Sequence, residues 1–336
     1  MSTYDKNEEY FANPAISNSD ISNFLYGGAK YMMAKKSRQE TDTSESMEFG
    51  EAIHCYILEP DTFNDRFCIP TKKVSGLMGT FIDCVQVLES NSDTADNEIY
   101  RLAYEKSGFK LPLDRVISDF EKPENQAYYN FLKENSNKIQ LTSEQFEVLK
   151  RIKASISKHR YIQGLVSPDE EGIELFNELE IYWEYKVVQE DDLFSRTVSI
   201  PCKSKLDRLI IDHKNRIIRL IDLKSTSKPN SQFTLSVAKY GYHRQMMFYF
   251  KALSYWQSQE GNEEIKNYTL ENPYILALET LYPNEAKLFQ VSDKSLKIGL
   301  DEIDSAMNKL TWHYTNNVWE DKMSYLETVE QIEIEK

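Results

Sequence analysis

Apolar positions recur at helical spacing through the first half of the chain and at strand spacing after Pro168. Residues 16–36, "ISNSDISNFLYGGAKYMMAKK", begin with Ser and Asp cap residues and predict one helix or two, broken at Gly27-Gly28. In "MEFGEAIHCYIL" (47–58), Phe49, Ile53 and Ile57 share a helical stripe that stops at Glu59-Pro60. Residues 71–135 read as helical but irregular, with the polar "SNSDTADNE" as a loop. Residues 141–159, "LTSEQFEVLKRIKASISKH", read as an amphipathic helix with Thr142 or Ser143 as N-cap and Glu or Gln following.

After Pro168, "ELFNELEIYWEYKVV" (174–188), "TVSIPCKSKLDRLIID" (197–212) and "RIIRLIDLK" (216–224) are rich in aromatic and β-branched residues. They predict three strands, antiparallel because their links are short, with "DHKN" as the second turn. A long helix is expected over 237–256, strands over 273–281 and 286–291, and a closing helix over 292–314 with a Ser/Asp cap. No internal repeat is present. Helix, three strands, helix, strand is the order of a mixed sheet flanked by helices, an α/β fold.

The chain has 336 residues, 40% of them apolar, enough for a sizeable core. No apolar run approaches the ~20 residues that span a bilayer, and "MSTYDKNEEYF" has neither a basic nor an apolar leader region, so no membrane role and a cytoplasmic location are expected. Cys55, Cys68, Cys84 and Cys202 lack C-x-x-C spacing and read as small apolar side chains. The 40 Lys+Arg against 54 Asp+Glu give a net charge of −14, which argues against nonspecific coating of nucleic acid. "IPCKSKLDR" and "VAKYGYHRQ" are nevertheless locally basic, leaving room for a positive site in a negative body.

Chemistry enters at "LIDLKST" (220–226), where an apolar run carries Asp222 and Lys224. Buried charges are costly unless paired or bound to a metal. The spacing Asp/Glu-x-Lys occurs six times in the chain, so the pattern itself selects nothing. This copy differs in ending the most apolar strand, where period two sets Asp222 and Lys224 on one face. A hairpin centred near His213-Lys214 would pair about residue 207 with about residue 220, making Asp207 and Asp222 neighbours if the register cooperates. Two carboxylates brought together repel unless a cation lies between them, and Mg²⁺ suits such oxygen donors. A nearby lysine would orient or deprotonate an attacking water and stabilise phosphoryl charge. The alternative is a structural Asp222/Lys224 ion pair.

On these residues the chain resembles the PD-(D/E)xK nuclease superfamily, and within it the RecE-type exodeoxyribonuclease VIII domain of phages and prophages. "ISNSDISNFL" resembles that family's opening helix, "MEFGEAIHCYILEPDTF" its G-x-A-x-H helix and "LTSEQFEVLKRIKASISKH" its central helix. "ELEIYW" is similar to its acidic strand, "CKSKLD" to its C-K-x-R-P-D strand end, "IDLKST" to its D-x-K strand and "YGYHRQMMFY" to its Y-x-x-Q helix.

The resemblance implies a restriction-endonuclease-like core over 169–315, preceded by a helical part (1–168) that contributes His54 and followed by an acidic tail (316–336). It makes Asp207 and Asp222 metal ligands with His54, and Lys224 the catalytic lysine. Glu178 would be an acidic group near metal and water, and Gln245 a polar group touching the lysine, water or DNA. Lys203, Lys205, Lys239, Tyr240, Tyr242 and Arg244 would line a DNA channel. The implied cofactor is Mg²⁺, with Mn²⁺ as substitute. Implied partners are double-stranded DNA ends, a single-strand annealing protein and further copies of the chain in a ring.

Each role has a plainer counterpart: His54 paired with Glu51, Glu178 on a solvated face, Gln245 in an interhelix hydrogen bond. Two departures stand out. Leu206 and Lys205 replace the family's proline and arginine, and Glu51 stands where a small or hydroxylic residue is usual. The iron–sulfur branch is set aside because no cysteine follows Cys202. An endonuclease on the same core and a catalytically silent DNA-binding protein remain the rival functions.

Overall fold

The computed structural model describes residues 9–37, 44–70, 73–91, 96–168, 170–191 and 194–320. Residues 92–95 of the expected polar loop and 321–336 of the expected acidic tail lie outside the described residues. The chain divides into two compact units, Met1–Thr43 with Ile152–Lys336, and Ser44–Arg151. No helix among the described residues is long and apolar enough to cross a membrane.

Helix α1 (Asn18–Ser37) opens with a reciprocal cap: Asp20 Oδ2 accepts from Ser17 N at 2.8 Å, and Ser17 Oγ from Asp20 N at 3.2 Å. Its expected break is at Gly28, whose φ of 78° leaves the helical region. The second unit begins with α2 (Glu45–Leu58) and continues with α3 (Gly76–Asn91), α4 (Asp96–Ser107), α5 (Leu113–Phe120) and α6 (Pro123–Glu134). Phe81, Ile82, Val85, Ile99, Val116, Phe120 and Leu132 form its core. In α7 (Ser143–Lys158), Thr142 and Gln145 exchange hydrogen bonds of 3.1 and 2.7 Å across the first turn.

The first unit adds α8 (Arg160–Val166), not expected from the sequence, and then a mixed sheet ordered β1-β2-β3-β4-β5. The strands are β1 (Ile173–Asp191), β2 (Phe194–Asp212), β3 (Ile217–Thr226), β4 (Tyr274–Glu279) and β5 (Ala286–Gln290). β1, β2 and β3 are successively antiparallel, β3 and β4 parallel, β4 and β5 antiparallel. Parallel β3 and β4 need a crossover, supplied by α9 (Phe233–Tyr240) and α10 (Tyr242–Gln257). The single helix expected there is two, because Gly241 adopts φ 66° between them. The chain closes with α11 (Asp293–Asn316), capped by Ser292.

The main core fills the space between one sheet face and three helices. Trp183, Ile200, Leu209, Ile218 and Leu220 meet Phe248 and Leu253 of α10, Ile303 and Met307 of α11, and Ile21 and Met32 of α1. All four cysteines are free, and Cys55, Cys68 and Cys202 are buried as small apolar groups.

Candidate active site

The hairpin of β2 and β3 turns through Asp212, whose Oδ1 accepts from Asn215 N at 2.9 Å. Its register sets Leu209 opposite Leu220 and ends at Arg208 opposite Ile221. The sequence estimate of 207 against 220 is therefore two residues off, and the next step puts Asp207 opposite Asp222. Residues directly opposite on antiparallel strands face the same side. Here the strands part: β3 continues along β4, with Asp222 beside Ile275 and Lys224 beside Ala277. Asp207 Oδ2 accepts from Leu223 N at 2.7 Å, satisfying an amide at the point of divergence.

On the other flank, β1 and β2 pair at Asn177–Arg208 and at Leu179–Leu206, which sets Glu178 opposite Asp207. Phe176 and Leu179 both pack on the main core, as do Leu206 and Leu209. Spacings of three break the period of two, so both strands slip by one residue at this point. Glu178 carries the distortion with φ 52°, a conformation costing a non-glycine residue about 1–3 kcal/mol. Glu178, Asp207 and Asp222 thus form one row across three neighbouring strands.

Glu178 and Asp207 offer carboxylate oxygens within 4.8 Å of each other. Burial, reinforced by the Glu178 charge, pushes the Asp207 carboxyl up to about 6, against the opposing pull of Lys224. Asp222 is 1% exposed, and its Oδ2 lies 2.8 Å from Lys224 Nζ. Burial alone would lower Lys224, but Asp222 and Asp207 outweigh it and hold the ammonium above its ordinary range. With Asp222 and Asp207 beside it, Lys224 is held as an ammonium in the metal-free fold.

Around the row stand further polar groups. Lys205 pairs with Glu178 at 2.8 Å, so its charge serves the site before any phosphate. Gln245 on α10 donates to the Tyr249 hydroxyl at 2.9 Å, one turn on in the same helix, so this bond lies within one helix and not between two as in the plainer reading. Burial, then Asp222 and Asp207, raise Tyr249 well above its usual value, so its hydroxyl stays protonated. Tyr249 was not singled out from the sequence, although its spacing of four from Gln245 was a readable signal. The Lys224 ammonium lies 5.1 Å from the Tyr242 ring centroid.

Two expected DNA contacts face inward instead. Lys203 is 5% exposed and donates to the carbonyls of Tyr10 and Asn13 at 2.7 and 2.8 Å, tying down the segment before α1. Arg244 is buried, donating to Glu302 at 2.7 Å and to Ser22 Oγ at 2.9 Å. A buried cation keeps its partners because release would leave an uncompensated charge, so neither is offered to a phosphate. Tyr240 is half-exposed. His54 lies on α2, in the second unit, where Glu51 binds Arg66.

The donor chemistry fits a hard divalent cation. Glu178 and Asp207 supply oxygen ligands, and a cation would offset both the burial that chiefly raises Asp207 and the lesser contribution of the Glu178 charge.

No curated protein matches the sequence. A crystal structure from Eubacterium rectale described as a "Putative exonuclease" is similar at 13% identity and TM-score 0.47, over 99% of this chain and 93% of that one. A family model described as "PDDEXK-like domain of unknown function (DUF3799)" matches residues 17–331, nearly the whole chain, and the chain belongs to that family.

Proposed function

We propose that the chain is a divalent-metal-dependent deoxyribonuclease that hydrolyses phosphodiesters of linear double-stranded DNA from an end. The observation that carries this reading is the row Glu178, Asp207, Asp222 across three strands, with Lys224 bound to its last member. Asp207 and Asp222, with Glu178 beside them, hold the cation, Mg²⁺ or Mn²⁺; the RecE resemblance adds His54. When bound, such an ion supplies Lewis acidity and a more acidic water. Lys224 contributes a fixed positive charge near the scissile phosphate, preorganised by Asp222. Gln245 and Tyr249 orient polar groups over the same face. The resemblance further supplies 5′-to-3′ polarity, 3′ overhangs for recombination, a ring of identical subunits and a single-strand annealing partner.

The test is degradation of end-labelled linear duplex with Mg²⁺ by wild type and Asp222→Asn. Wild type should release labelled product only with the metal, and the variant should remain folded, bind DNA ends and lose roughly 100-fold or more in rate. Equal rates in the two proteins would refute the reading. Rapid loss of covalently closed circles would reassign the activity to an endonuclease.

A further inference from the structure

Four aromatic rings form a column beside the acidic row. Phe289 of β5 stacks on Phe233 of α9 at 5.2 Å and 25°, and Phe233 on Tyr242 of α10 at 6.0 Å and 27°. Tyr242 is followed by Tyr240 at 5.7 Å and 32°. The column starts at the partly buried Phe289, runs through the fully buried Phe233 and ends at Tyr240, which is 52% exposed. Three ammonium groups flank it: Lys287 at 5.1 Å from the Phe289 centroid, Lys224 at 5.1 Å from that of Tyr242 and, at the exposed end, Lys239 at 5.2 Å from that of Tyr240.

The column depends on Gly241. In an unbroken helix residues 240 and 242 would point about 200° apart. The left-handed glycine between α9 and α10 brings their rings side by side. A Cβ at Gly241 would lie 2.4 Å from the Arg244 guanidinium, which Glu302 and Ser22 hold in place. The outer ring is therefore presented by a locked turn.

We propose that Tyr240 is a stacking platform for an unpaired nucleobase, so that the attacked strand reaches the acidic row with its end base out of the duplex. A half-exposed ring ending an aromatic column offers one more stacking position, and base–aromatic stacking is indifferent to sequence. A base inside a duplex has both faces covered by its neighbours; a frayed one has a face free. Lys239 supplies positive charge for the phosphate of the same nucleotide, while Lys224 marks the direction of the site. The inference rests on the nuclease reading and names the form of its substrate: DNA with a single-stranded end.

The experiment measures affinity by fluorescence anisotropy in EDTA, with a labelled single-stranded oligonucleotide and a blunt duplex of the same sequence. Tyr240→Ala should bind the single strand roughly 5- to 150-fold more weakly than wild type. Tyr240→Phe, which keeps the ring, should stay within about 3-fold, and the blunt duplex should lose less than the single strand in the alanine variant. The platform is overturned if Tyr240→Ala binds the single strand as wild type does, if both DNAs lose equally, or if wild type does not bind the single strand. Should wild type cleave DNA while affinity ignores Tyr240, only the platform falls. Should affinity follow Tyr240 while wild type and Asp222→Asn are equally inert, only the nuclease reading falls.

Discussion

Replacing Asp207 by asparagine should make the metal-free protein more stable, although it removes a hydrogen-bonded carboxylate. Burial and the neighbouring Glu178 raise this carboxyl from 3.8 to about 6. Its charged form is therefore disfavoured in the fold, and above that pH the folded state carries an unfavourable charge. At about 1.4 kcal/mol per pKa unit the penalty is roughly 3 kcal/mol, nearer 2 once the partial exposure of the site is allowed for. Asparagine keeps an acceptor for Leu223 N and removes the charge.

Because the folded carboxyl binds its proton more tightly than the unfolded one, the stability it contributes is fully present below about pH 4. It is lost as pH rises through about 6. The advantage of Asp207→Asn should thus be largest at pH 8 and about half as large at pH 5. Urea unfolding with EDTA, followed by tryptophan fluorescence, measures it directly. All four tryptophans, Trp183, Trp256, Trp312 and Trp319, belong to the unit that contains Asp207. A variant no more stable than wild type at pH 8, or one equally stabilised at both pH values, would show that the carboxyl is not strained by its surroundings.

Three further outcomes are expected. Binding of Mg²⁺ to wild type, followed as a thermal shift, should weaken as pH falls through about 6, since protons then compete for Asp207, and the shift should vanish in Asp207→Asn. Glu178→Gly should add about 1 kcal/mol of stability by relieving φ 52° while abolishing cleavage; an active variant would show that this carboxylate is dispensable. Gly299→Ala should cost about 1–3 kcal/mol in urea unfolding, because its Cβ would lie 2.7 Å from the His243 carbonyl oxygen and 2.9 Å from Arg244 Cα, where α11 crosses α10. An unchanged midpoint would mean that the two helices separate freely there.

The sequence by itself determined the elements and the chemistry of their side chains. Period-two runs marked β1, β2 and β3, and Thr142 with Gln145 marked the start of α7, because these signals arise from neighbours along the chain. The oddity of Asp222 and Lys224 in an apolar strand was equally local. What tertiary structure decided is which side chains meet. The row of Glu178, Asp207 and Asp222 depends on two strand registers and on a matched one-residue slip in β1 and β2, none of which is encoded within any single strand. Lys203 and Arg244 read as surface cations until the fold supplied carbonyls and Glu302 to hold them inside. Burial and pairing are properties of the assembled neighbourhood, so local sequence can nominate a charged residue for a site but cannot say which way its charge is spent.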